Sequence, residues 1–156
     1  MGLSAHRFLR SWVKPLYFIH TQQYTKRDLG MFRGSGVRKM KVVVFSTCVV
    51  DLFFPNVGAA MVEVLERFGC DTVLPKKQIC CGQPTFNSGY VINSQKTMRN
   101  EVDALLSVDC DYIVGPSGSC VNMLHEFRMH VADDPEYGPK ADMLANKSYK
   151  FSQFLY

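Results

Sequence analysis

"KVVVFSTCVVDLFFPNVGAAMVEVLERFGCDTVLP", residues 41–75, reads as strand, helix, strand. KVVVFST (41–47) is β-branched and apolar at nearly every position, which suits a strand buried on both faces of a parallel sheet. It ends at Cys48. PNVGAAMVEVLERFG (55–69) opens on Pro, closes on Gly, and sets Val57, Met61, Val64, Leu65 and Phe68 on one helical face. CDTVLP (70–75) reads as a second, shorter strand.

The alternation continues downstream. NSGYVINSQKTMRNEVDALLSV (87–108) contains a helix, CDYIVGP (110–116) a third strand, and VNMLHEFRMH (121–130) a helix that begins near Ser119. DDPEYGP is a turn region, and residues 140–155 read as a last helix. Strand–helix alternation of this kind specifies an α/β fold, a small parallel sheet with flanking helices and right-handed crossovers. Most of the eleven phenylalanines are expected in its core.

On that frame the cysteines sort by strand polarity. Cys48 follows strand one, the adjacent Cys80 and Cys81 follow strand two, and Cys120 follows strand three. Sites in open α/β sheets form outside the carboxyl ends of the strands, so these four thiols converge at one edge. Cys70 and Cys110 precede strands two and three. A strand of about five residues spans roughly 16 Å, so they belong to the opposite edge and read as small buried apolar residues.

Four convergent thiols admit four uses. Zinc usually takes thiols from C-x-x-C knuckles, which are absent here. A catalytic dithiol also favours C-x-x-C and rarely needs four sulfurs. A disulfide between Cys80 and Cys81 is disfavoured, because neighbouring Cα atoms lie about 3.8 Å apart, below the roughly 4.4–6.8 Å that an unstrained bridge spans. An iron–sulfur cluster uses all four. Helices starting after Cys48 and around Cys120 would aim their positive ends at such an anionic centre.

Charge and composition narrow the classes. The chain has 156 residues, room for one domain with a real core, and 47% of them are apolar. Residues 1–39 hold eight Lys/Arg against Asp28 alone, whereas residues 40–156 carry a net −3, so the body has no basic face for nucleic acid. The longest apolar stretch, Val42 to Phe54, is too short to span a bilayer and carries Asp51. Residues 1–39 are a basic extension. They read either as an organellar transit segment, with Arg7, Arg10 and Lys14 on one face, or as an upstream stretch outside the fold with synthesis starting at Met40. RGSG (33–36) makes a flexible joint after them. The first alternative places the protein in the mitochondrial matrix, the second in the cytoplasm.

TCVVDLFFPNVG (47–58), CCGQPTFNSGY (80–90) and GPSGSCVNMLHE (115–126), with thirty-one residues between Cys48 and Cys80 and thirty-five between Cys81 and SGSC, carry a resemblance. Together they resemble the cysteine-rich CCG domain of heterodisulfide reductase B subunits, glycolate oxidase iron–sulfur subunits and, most closely, lactate-utilisation proteins. The resemblance spans Met40 to Tyr156 and implies a first CCG domain over residues 40–156, with the family's second repeat absent. It implies an iron–sulfur cluster, of the 4Fe–4S type, held by Cys48, Cys80, Cys81 and Cys120. Ser117 stands where the full pattern has a further cysteine, which counts against a five-cysteine, non-cubane cluster and leaves Ser117 a weak cofactor contact. The implied function is that of an electron-relay subunit working with the other subunits of a complex oxidising L-lactate to pyruvate. The glycolate oxidase or heterodisulfide reductase branch would change the substrate, and a clusterless half-domain would only bind partners or itself.

Other residues are weaker candidates. His125, Glu126 and His130 spell H-E-x-x-x-H, which misses the i, i+4 spacing of a helical ligand pair. His125 is expected to line the cluster pocket and His130 to be solvated. Asp51 and Asn87 follow the cysteine loops and suit hydrogen bonding beside the site, with an N-cap role as the alternative for Asn87. NKS at 146–148 matches a glycosylation acceptor incidentally.

Overall fold

A computed structural model describes residues 38–156. The transit-segment and RGSG-joint readings fall on residues 1–37 and lie outside the described residues. Four strands, β1 (Lys41–Val44), β2 (Asp71–Val73), β3 (Tyr112–Gly115) and β4 (Ser148–Lys150), form one sheet in the order β2-β1-β3-β4, parallel throughout. The expected α/β class is what the structure has. Among the described residues seven helices accompany the strands: α1 (Cys48–Phe53), α2 (Pro55–Arg67), α3 (Gln83–Asn87), α4 (Val91–Leu105), α5 (Gly118–His130), α6 (Tyr137–Lys147) and α7 (Phe151–Phe154).

Side chains alternate across the sheet, and each face builds its own core. Val43, Phe45 and Ile113 point toward Met98, Val102 and Leu105 of α4, Leu124 and Phe127 of α5 and Leu144 of α6. Val42, Val44 and Val114 point the other way, onto Met61 and Leu65 of α2 with Phe151 and Phe154 of α7 alongside. Gly115 at the end of β3 is needed for close approach. A Cβ there would meet Val121 Cγ2 at 2.8 Å and Phe45 Cδ1 at 3.0 Å, overpacking that costs about 1–3 kcal/mol.

One reading is corrected and two gain detail. Residues 140–155 are not one helix: α6 stops at Lys147, and β4 pairs with β3 in the register Val114↔Tyr149 before α7 begins. The helix expected within 87–108 is preceded by a separate turn, α3, and Gly89 with φ +85° redirects the chain between them. Of the eight described phenylalanines, Phe45 and Phe127 are buried and Phe86, Phe151 and Phe154 pack partly buried against the core, while Phe53, Phe54 and Phe68 are exposed, and Val57 on the expected apolar face of α2 is exposed as well.

Candidate metal centre

Each of the four cysteines after a strand lies at the carboxyl edge of the sheet. Cys48 is the first residue of α1, four positions beyond the end of β1. Cys120 is the third residue of α5, which follows β3, and β1 and β3 are neighbours in the sheet. The strand order reverses direction there, which makes it the switch point where α/β sheets bind ligands. The Cys80–Cys81 loop enters from β2 on the far side of β1.

The thiols meet as two pairs. Cys48 and Cys80 Sγ share a hydrogen bond at 3.6 Å. The thiols of Cys81 and Cys120 are near enough for each to shift the proton affinity of the other. The pairs also feel each other, since charge on Cys120 acts on Cys48 and charge on Cys80 acts on Cys81. All four are free thiols, with Cys81 and Cys120 buried and Cys48 and Cys80 half-buried. Among the described residues, no three His, Cys, Asp or Glu side chains gather closely enough for a single ion. The four thiols thus stand as two pairs and not as one compact ligand set.

Proton affinities follow from those contacts. Cys120 is lowered to about 6, chiefly by the hydrogen bond from Cys81, with the Ser117 and Ser119 hydroxyls helping and burial opposing. Cys81 is pushed up by the same bond and then by burial. Cys48 is raised by burial first, then by its bond to Cys80 and by the charge of its neighbours. Cys120 also lies in the first turn of a thirteen-residue helix, whose positive end favours a thiolate. The helix after Cys48 is only six residues long and breaks at Phe54, so the expected second dipole is a single short segment.

Ser117 sits at the N-cap position of α5 without capping it; its hydroxyl lies 3.2 Å from that of Ser119, and both hydroxyls help to lower the proton affinity of Cys120. Gly82 adopts φ +77°, open to glycine at no cost, and turns the chain from Cys81 into α3. A Cβ there would stand 3.1 Å from Ser94 Oγ, which donates to Gly82 O.

The weaker candidates fall elsewhere. His125 lines a surface cavity of about 210 Å³ with Arg128, Asn146 and Tyr149, not the thiol edge. His130 is half-buried instead of solvated: its ring packs on Phe86 at 4.3 Å, and its Nε2 is buried without a partner. Asp51 is exposed, and Asn87 is the exposed last residue of α3 and caps no helix. Cys70 and Cys110 are buried ahead of β2 and β3, at the opposite edge. Two polar residues at the site escaped the sequence reading, Gln78 and Glu101. The signal for Glu101 was present: it lies three residues after Met98 and four before Leu105, on the buried stripe of α4.

Fold and thiol edge together describe an α/β domain built around clustered cysteines. Residues 42–125 match the family described as Cysteine-rich domain (CCG), and the chain belongs to it. It is 47% identical over 116 residues to Lactate utilization protein A of Bacillus thuringiensis (strain Al Hakam) and to Lactate utilization protein A 2 of Bacillus mycoides (strain KBAB4). Those alignments cover 74% of this chain and 48% of each relative, so the chain spans about half the length of the curated relatives it matches. No solved structure matches it. No described helix is long and apolar enough to cross a membrane.

Proposed function

We propose that the chain is an iron–sulfur electron-relay subunit of a lactate-oxidising complex, with Cys48, Cys80, Cys81 and Cys120 as ligands. The observation that supports the reading is the placement of two pairs of free thiols, from three loops, at the carboxyl edge of the sheet. Membership of the CCG family supports the cofactor, and relatives named for lactate utilization support the pathway. An iron–sulfur cluster supplies one-electron transfer without protons or covalent bonds to substrate. The chain's own part is to hold and shield. Cys81 and Cys120 would be buried ligands, Cys48 and Cys80 half-buried ones, and the Ser117 and Ser119 hydroxyls would favour negative charge on the Cys120 sulfur. Residues 40–156 act as the first CCG domain, in a reducing cytoplasmic setting that matches six free cysteines. A mitochondrial destination gains nothing from the bacterial relatives.

A clusterless partner-binding domain is the second reading. It is favoured by the apolar side chains exposed beside Cys48, with Leu52 72% and Phe53 71% accessible. Anaerobic purification followed by iron and acid-labile sulfide analysis decides between them. The relay reading expects a brown protein with iron and sulfide in matched amounts, and a colourless, iron-free chain overturns it.

A further inference from the structure

The two residues ahead of Cys80 are fastened on opposite sides by side chains that the ligand set does not include. Gln78 reaches back to β1: Ser46 N donates to its Oε1 at 2.8 Å, and its Nε2 donates to Val44 O at 2.8 Å. Those two backbone groups bracket Phe45, whose own N–H goes the other way, to Val114 O on β3. In a parallel ladder, one residue of the neighbouring strand fills such a bracketing pair. β2 stops at Val73, paired with Val43, and its backbone has left the sheet by this level. The primary amide of Gln78 therefore stands in for the missing strand residue.

Ile79 is held from the other side. Its N–H donates to Glu101 Oε2 at 2.8 Å, and Glu101 is 0% exposed within α4, with Oε1 buried and unpartnered. A buried carboxyl with one oxygen unsatisfied is costly to keep. A surface turn needs no such fastening, and the loop it holds presents Cys80 3.6 Å from Cys48.

We infer that Gln78 and Glu101 are positioning residues that set Cys80 opposite Cys48. The inference rests on the relay reading for its purpose and on the thiol pair alone for its test. In the metal-free full-length chain, Cys48 and Cys80 are offered glutathione disulfide. Two protein thiols lose two electrons and two protons to form one disulfide, and the reagent leaves as two glutathione thiols. Mass spectrometry reads the Cys48–Cys80 product, circular dichroism and cooperative melting report folding, and iron and sulfide are counted on separately prepared anaerobic protein.

Gln78→Ala and Glu101→Ala are expected to remain folded and to lower the effective molarity of the pair at least about tenfold. Glu101→Gln, whose amide oxygen still accepts from Ile79 N, should stay within about threefold of the parent. Where Gln78→Ala fails to fold, Gln78→Glu takes its place, keeping the bond from Ser46 and losing the one to Val44. Folded Gln78 and Glu101→Ala variants that form the disulfide as readily as the parent overturn the inference, as does a folded Glu101→Gln chain as impaired as Glu101→Ala. If the variants lose the disulfide while the parent binds no iron, positioning stands and the relay reading falls. If the parent binds iron and the folded variants keep both readouts, the reverse holds.

Discussion

Cys70 and Cys110 stand before β2 and β3, buried among apolar side chains, and burial is the leading cause that raises the pKa of each. Cys48, Cys80, Cys81 and Cys120 stand after the strands, where Cys48 lies against Cys80, and the interaction of Cys81 with Cys120 raises the proton affinity of the first and lowers that of the second. The two edges belong to one sheet and carry one residue type. What separates them is strand polarity: all four strands run the same way, so loops leaving their carboxyl ends share a mouth while the amino ends are sealed by packing. Cysteine content alone says little about a site, whereas cysteine position relative to strand direction says a great deal.

The largest expected effect tests that contrast directly. Cys80→Ser and Cys81→Ser should abolish bound iron, while Cys70→Ala and Cys110→Ala retain it, as measured by iron and sulfide per chain after anaerobic purification. Equal iron loss from Cys70→Ala in protein that still melts cooperatively would break the division between the edges.

Val49, Leu52, Phe53, Phe54 and Val57 are exposed where the chain leaves Cys48, and Tyr90, Val91 and Ile92 are exposed after the Cys80–Cys81 loop. Apolar side chains this numerous on one edge favour association. The chain is expected to self-associate at moderate concentration, and Leu52→Lys with Phe53→Lys should return it to monomer with a stability change within about 0.5 kcal/mol. Sedimentation at several concentrations reads the outcome. A parent chain that is monomeric throughout would show that this edge needs no cover.

Much of this arrangement was legible in residues 41–120 and much less beyond. The Val42–Val44 run and the Ile113–Val114 pair announce buried strands through β-branching, and strand order then brings Cys48 and Cys120 to one edge. β4 gave no such signal. Ser148, Tyr149 and Lys150 contain no apolar run, and their neighbours on the chain are helical on both sides. The strand exists through tertiary contacts: the pairing with β3, the Tyr112–Tyr149 ring contact at 5.5 Å, and the buried Ser148 hydroxyl donating to Leu144 O. Phe53, Phe54 and Phe68 misled for the opposite reason, because hydrophobicity does not by itself tell a core residue from one facing outward. Gln78 was hidden because its task, replacing a strand residue, has no sequence signature.

A smaller effect sharpens the contrast from beneath the loop. Burial holds the Glu101 carboxyl above its ordinary 4.5, and the Ile79 N–H, which pulls the other way, only partly offsets it. The folded chain therefore binds this proton more tightly than the unfolded chain. The stability carried by that proton is fully present below about 4.5 and is lost as pH rises through the folded value. Glu101→Gln removes the titration. Urea midpoints measured over a pH series should show the variant gaining on the parent as pH rises from about 4.5, with the other carboxylates cancelling between the two chains. Parallel pH profiles would mean that Glu101 ionises as freely inside as out.

The smallest expected effect concerns the start of the domain. Among the described residues, every strand and both core clusters lie within residues 41–154. Ahead of them, Arg38 pairs with Asp111 at 3.0 Å, an exposed pair of the kind worth about 0–1 kcal/mol. Asp111 keeps a second partner without it, since Lys41 N donates to its other oxygen at 2.8 Å and fixes the entry to β1. A chain beginning at Met40 should therefore melt cooperatively, within about 4–8 °C of the full chain, the shift that roughly 1 kcal/mol produces in a small domain. Calorimetry of the two chains reads it. A markedly larger drop would show that residues 1–39 contribute to folding, and would retire the reading of residues 40–156 as a self-sufficient domain.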